Sequence, residues 1–158
     1  MSNILPNSLI RRLGTDPLFN QEAFVKAHES GEKLTSIRIN PKKKATLSFE
    51  LDDQIPWCET GYYLKDRPKF TLDPLFHAGC YYVQEASSMF IAHILDYLKI
   101  GKEDTKVLDL CAAPGGKSTL LNSFLSPNSL LVSNEIIKSR SIVLQENMMR
   151  WGNANVEV

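Results

Sequence analysis

At residues 107–118 the chain reads Val-Leu-Asp-Leu-Cys-Ala-Ala-Pro-Gly-Gly-Lys-Ser, a short apolar strand that runs into a glycine-rich turn and then a helix opening on a hydroxyl. Small residues let a backbone come close to a ligand, and the first turn of a helix offers amide groups that no internal carbonyl satisfies. This succession can build a nucleotide-type cofactor pocket; an ordinary strand-to-helix turn is the plain alternative. It also calls for an α/β fold with a parallel sheet, because a parallel strand needs a helical crossover.

Three cofactor classes compete for the loop. A phosphate-binding P-loop requires Gly, four residues and then Gly-Lys-Ser/Thr; Gly116, Lys117 and Ser118 satisfy the end, but Cys111 occupies the place of the first glycine. Asp109 would add negative charge beside a triphosphate. A Gly-x-Gly-x-x-Gly dinucleotide fingerprint fails as well, because only the adjacent pair Gly115 and Gly116 is present. S-adenosylmethionine, which has a ribose and an amino-acid end but no phosphates, fits better. Asp109 at the strand end suits its ammonium, and the exposed backbone suits its carboxylate.

Downstream, the pattern predicts a helix over 118–125, a turn at 127–128, a strand over 129–133, a helix over 138–151 and the start of a strand at 155–158. Strand and helix alternate, as in a doubly wound parallel sheet. Glu135 falls just beyond the second strand, about 20 residues after the glycine pair, where an acid can accept both hydrogen bonds of a ribose diol. The alternative role for Glu135 is that of an acid favoured at a helix N-terminus.

Upstream, Ile91, Ile94, Leu95 and Leu98 recur at helical spacing, predicting a helix over 84–98 before Gly101. His93 on it has no partner ligand one turn away and reads as a surface or packing residue. Gln84, Glu85 and Ser88 suit either helix capping or the cofactor side of the pocket. Nearer the N-terminus, helices are expected from Pro6 to about Gly14 and over 19–30. Strands are expected over 35–40 and 46–51. Residues 1–70 therefore read as a small α+β domain, and 71–158 as the start of the cofactor domain.

Lys and Arg number 18 and so do Asp and Glu, so no overall field draws in nucleic acid and any contact must be local. Lys42, Lys43 and Lys44, and Lys65, Arg67 and Lys69 beside Tyr62, Tyr63 and Phe70, are candidate phosphate contacts, or else solvated loops. Cys58, Cys80 and Cys111 are too few and too irregular for a disulfide framework or a zinc site, and no metal is expected. No apolar run reaches membrane-span length and no signal pattern opens the chain, so a cytoplasmic location without membrane contact is expected. Oligomeric state is left open.

The stretch Asp-Leu-Cys-Ala-Ala-Pro-Gly-Gly-Lys-Ser at 109–118 resembles the cofactor motif of the Sun-type RNA (cytosine-5-)-methyltransferases. Residues 70–79 (Phe-Thr-Leu-Asp-Pro-Leu-Phe-His-Ala-Gly), 81–89 (Tyr-Tyr-Val-Gln-Glu-Ala-Ser-Ser-Met) and 36–41 (Ser-Ile-Arg-Ile-Asn-Pro) are similar to segments that precede it in that family. The likeness runs from about Leu5 onward and is closest to bacterial members that act on 16S ribosomal RNA. It implies a small N-terminal α+β domain followed by the first half of a Rossmann-like methyltransferase domain. It also implies an S-adenosyl-L-methionine cofactor held by Cys111, Ala112, Ala113, Pro114, Gly115, Gly116, Lys117, Glu135 and Arg140, and an RNA partner touched by Arg38, Lys42, Lys43 and Lys44. In the family a cysteine thiolate attacks ring carbon-6 of cytosine so that carbon-5 can take the methyl group. The cysteines of that chemistry lie farther along than this chain extends, and Cys111 belongs to the cofactor turn. The chain is therefore expected to be the N-terminal part of such an enzyme, without catalytic residues and without turnover alone. Two other functions stay open: a noncatalytic RNA-binding module resting on the basic segments, and an NTPase-like nucleotide module resting on 116–119.

Overall fold

The computed structural model describes residues 5–152 and 155–158. The chain divides into two compact units, one up to Leu34 and one from Thr35 to Val158. The first holds helices α1 (Asn7–Leu13) and α2 (Gln21–Glu29). The Asn20 side chain caps α2 by accepting from the Ala23 amide at 3.0 Å. Phe19, just before the cap, meets Phe24 edge-on at 5.2 Å and fixes the angle at which the chain enters the helix.

The second unit begins with a four-stranded antiparallel sheet of β1 (Thr35–Ile39), β2 (Leu51–Gln54), β3 (Gly61–Leu64) and β4 (Tyr81–Val83), in the order β2-β3-β1-β4. The central strand β1 aligns Ile37 with Tyr62 of β3 and Arg38 with Tyr82 of β4. One face packs Ile37 with Leu64, Phe70, Cys80 and Tyr81. Between β3 and β4 lie a single 3-10 turn and the one-turn helix α3 (Pro74–His77). Asp73 caps α3, accepting from the Leu75 amide at 2.9 Å and from the Tyr81 hydroxyl at 2.7 Å.

The chain then passes through a 3-10 turn at Ser87–Met89 into α4 (Phe90–Tyr97). From there it alternates β5 (Lys106–Asp109), α5 (Gly116–Phe124), β6 (Leu130–Ser133), α6 (Lys138–Trp151) and β7 (Val156–Glu157). These three strands are parallel in the order β5-β6-β7, giving the expected start of a Rossmann-like sheet. Ala112, Ala113, Leu125, Leu131, Leu144 and Met148 form the core between this sheet and its helices. A second cluster, Ile55, Cys58, Ala86, Met89, Ala92, Leu95 and Leu120, joins the β2–β3 connection to α4 and α5.

Three expectations change and two strands are added. The division read at residue 70 cuts through the antiparallel sheet, because β4 lies beyond it and completes the pairing of β1. The strand expected over 46–51 begins only at Leu51; Leu47 and Phe49 instead anchor a loop on the Ile37 cluster, Phe49 meeting Tyr81 at 5.4 Å. The helix expected from Gln84 starts at Phe90. Gln84 is kept extended because its amide bonds the Ser36 carbonyl at 3.2 Å, prolonging the β1–β4 edge. Strands β3 and β4 are additions, since Gly-Tyr-Tyr-Leu and Tyr-Tyr-Val are too short to display a period.

Candidate functional site

β5 ends at Asp109 and α5 begins at Gly116, and the six residues between them turn the chain at the C-terminal edge of the parallel sheet. Neighbouring β6 holds the turn: the Ala112 amide donates to the Asn134 carbonyl at 3.0 Å, the Asn134 amide to the Asp109 carbonyl at 2.8 Å, and the Asn134 side chain to the Leu110 carbonyl at 3.0 Å. Gly115 caps α5 with φ of 109°. A side chain is strained there, and an added Cβ would press on Leu144 at 3.3 Å and Asn147 at 3.4 Å. One Asp109 carboxylate oxygen accepts from the Ser118 hydroxyl at 2.7 Å, tying the strand end to the helix start.

Opposite the loop stands the segment that follows β4. Cys111, Ala112, Ala113, Pro114, Gly116 and Lys117 face Tyr82, Val83, Gln84, Glu85 and Ser88 across an open cleft of about 220 Å³. That volume lies below the roughly 300–1,000 Å³ usual for a small-molecule site, so the cleft suits one end of a cofactor. Its lining combines the start of α5, where first-turn amides lack helical acceptors, with the cation Lys117 and the acid Glu85. This set matches an amino-acid end bearing both charges. Gly115 shapes the turn from behind the cleft and does not line it.

Glu135 and Arg140 sit on the other flank of the loop. Glu135, its side chain 4% exposed, accepts from the Ile137 amide at 3.0 Å and pairs with Arg140 at 3.2 Å. Arg140 also donates to the Ala113 carbonyl at 2.8 Å. A ribose diol at Glu135 would share the carboxylate with these two partners.

Arg38 is 1% exposed and does not face solvent, which corrects its expected place among the RNA contacts. Its guanidinium donates to Gln84 Oε1 at 2.9 Å, to Thr119 Oγ1 at 2.6 Å and to the Gly116 carbonyl at 3.3 Å, and it lies 4.4 Å from the Trp151 ring centroid. Burial lowers its pKa to about 10, which leaves it charged at neutral pH. It therefore fastens β1 to the start of α5. Lys43 is likewise engaged: its ammonium donates to the Ala78 carbonyl at 2.7 Å and to the Arg150 carbonyl at 2.6 Å. Of the basic run, Lys42 and Lys44 are the exposed members.

Two residues that sequence reasoning did not select hold the loop from below. Asn147 donates to the Pro114 carbonyl at 2.6 Å, and the Tyr82 hydroxyl donates to the same oxygen at 3.3 Å. Burial raises the Tyr82 pKa against the opposing pull of Arg38 and Arg150, so the hydroxyl keeps its proton. Neither residue carries a local signal, since each meets the loop only through folding. Cys111 is exposed on the loop, whereas Cys58 and Cys80 are buried. Among the described residues no helix is long and apolar enough to cross a membrane, and no cluster of His, Cys, Asp or Glu could hold a metal ion.

Residues 5–86 match the family described as the N-terminal domain of 16S rRNA methyltransferase RsmF, and residues 96–158 match that described as 16S rRNA methyltransferase RsmB/F. The chain is 36% identical over 134 residues to the ribosomal RNA small subunit methyltransferase F of Aeromonas salmonicida, covering 77% of this chain and 28% of that protein. It is 38% identical over 132 residues to the protein of the same name from Shewanella piezotolerans, covering 76% and 27%. It thus spans between a quarter and a third of the length of these curated relatives. Among solved structures, a methyltransferase homolog protein from Pyrococcus horikoshii aligns with a TM-score of 0.69 at 25% identity, over 97% of this chain and 56% of that one. NSun6 from Pyrococcus horikoshii, solved with SFG, shares the fold with a TM-score of 0.71 at 16% identity, over 98% and 65%.

Proposed function

We propose a function from a premise that the matches establish: this chain belongs to the family of the N-terminal domain of 16S rRNA methyltransferase RsmF. The chain supplies the cofactor-binding part of an S-adenosylmethionine-dependent methyltransferase that forms 5-methylcytosine in 16S ribosomal RNA, in the cytoplasm where that RNA is assembled. Cys111 to Pro114, Gly116 and Lys117 cradle the amino-acid end of the cofactor on the turn that Gly115 sets, Glu135 takes the ribose, and Arg140 steers Glu135 while bracing the Ala113 carbonyl. Lys42 and Lys44 contribute RNA phosphate contacts. When bound, S-adenosylmethionine supplies an electrophilic methyl group. This chain's own residues bind and orient the cofactor, and none of them serves as the nucleophile for cytosine.

The observation that carries this reading is the cleft formed jointly by the glycine loop and the segment from β4 onward, because it brings the start of α5, Lys117 and Glu85 together. The P-loop alternative suits it poorly, since the Asp109 carboxylate bonded to Ser118 stands where a triphosphate would need positive charge. The test is the thermal midpoint of the chain with S-adenosylmethionine, S-adenosylhomocysteine or Mg-ATP, for the wild type and Glu135→Ala. A ligand that binds only the folded state raises the midpoint, and one present at about 100 times its Kd stabilises by about 2.7 kcal/mol. A rise with the first two ligands that weakens in the mutant supports the proposal; a rise with Mg-ATP alone overturns it.

A further inference from the structure

A cavity larger than the cofactor cleft opens elsewhere in the Thr35–Val158 unit. It measures about 350 Å³ and lies between the β4 side of the antiparallel sheet and the end of α6, a size that fits a small-molecule ligand. Five aromatic rings line it: Phe76 and Tyr82 are half-buried, and Phe70, Tyr81 and Trp151 back them from the core. Arg67 and Arg150 stand at its edge, their guanidinium carbons 5.5 Å from the Phe70 ring centroid and 5.2 Å from that of Phe76. Among the described residues neither arginine forms an ion pair, although Arg150 donates to the Asn147 side chain.

We propose that this cavity binds one nucleotide of single-stranded RNA, its base against the aromatic wall and its phosphate between Arg67 and Arg150. Flat rings accept the face of any base, and guanidinium groups pair with phosphate through two parallel hydrogen bonds. A purely apolar partner would leave two cations facing it without compensation. The wall also touches the cofactor loop, because Tyr82 and Asn147 line the cavity and both donate to the Pro114 carbonyl. The choice of RNA rests on the function proposed above, while the aromatic and cationic lining stands by itself.

The experiment measures binding of a short fluorescent single-stranded RNA to the full chain by anisotropy, with unlabelled CMP as competitor. Wild type is compared with Arg67→Ala, Arg150→Ala and Phe76→Leu, the last keeping apolar bulk while removing the ring. Each variant is expected to weaken RNA binding by about tenfold, and CMP to displace the RNA from wild type. Arg67 is exposed, so its replacement tests the site without risk to the fold. Unchanged affinity in Arg67→Ala, or in all three variants with unaltered thermal midpoints, overturns the proposal and would leave the cavity to a protein partner. The same samples receive S-adenosylhomocysteine. A midpoint rise with arginine-independent RNA binding refutes this site alone, and arginine-dependent RNA binding without a rise refutes the cofactor reading alone.

Discussion

Arg38 is a buried cation whose partners are all neutral, and this gives it an unusual pH behaviour. Burial holds its folded pKa near 10, below the ordinary guanidinium value, so native and unfolded chains are both charged there below about 10, and the penalty of burying the charge is constant in that range. Stability gains from this group only as pH rises above about 10, where the native state releases its proton before the unfolded chain does. The stability difference between wild type and Arg38→Met, measured by urea denaturation, is therefore expected to stay flat from about pH 6 to 9. Arg38→Ala is expected to cost about 3–5 kcal/mol, since it opens a cavity and strips a donor from Gln84, Thr119 and Gly116 together. The alternation of Ser36, Ile37, Arg38 and Ile39 correctly separates two faces of a strand. It could not reveal that the polar face is covered by α5, because that cover comes from residues some 80 positions later.

Helix α6 was legible in the sequence to its ends, Lys138 and Trp151, because Leu144, Met148 and Trp151 keep helical spacing and a glycine follows. Its docking was not legible. Gly79 packs so closely on the helix that an added Cβ would lie 2.0 Å from the Arg150 carbonyl oxygen, and its φ is 69°. Gly79→Ala is expected to destabilise the chain by at least about 2 kcal/mol through strain and displacement of the helix end, read as a lowered midpoint in thermal or urea unfolding. Gly115→Ala should cost about 1–2 kcal/mol and also abolish the cofactor-dependent rise in midpoint, since the cap it forms sets the loop. An equal loss of midpoint with the cofactor response intact would detach Gly115 from the pocket. The loop itself stood out in the sequence because its chemistry is contiguous. Its supports, Tyr82 and Asn147, lie 32 and 33 residues from Pro114 and carry no pattern of their own.

For the molecule as a whole, equal numbers of acidic and basic residues mean that nucleic-acid affinity must come from a few local contacts. The logarithm of RNA affinity is expected to fall with the logarithm of salt concentration with a slope of only about −1.5 to −3, the value for two to four neutralised phosphates on a single strand. A slope near −6, measured by anisotropy across a salt series, would instead point to a broad basic surface. Composition supports that expectation, but it could not show how the antiparallel sheet and the parallel sheet are joined. The joint is made where Asn40 donates to the carbonyls of Gly79 and Trp151, both at 2.9 Å, and Lys43 donates to those of Ala78 and Arg150. These side chains occupy carbonyls that the last turn of α6 leaves unsatisfied and, with the same atoms, hold the approach to β4. Neither segment can fray without exposing the other, so amide protons of both should exchange with solvent at a common rate, as one cooperative opening unit that crosses the line between the two sheets.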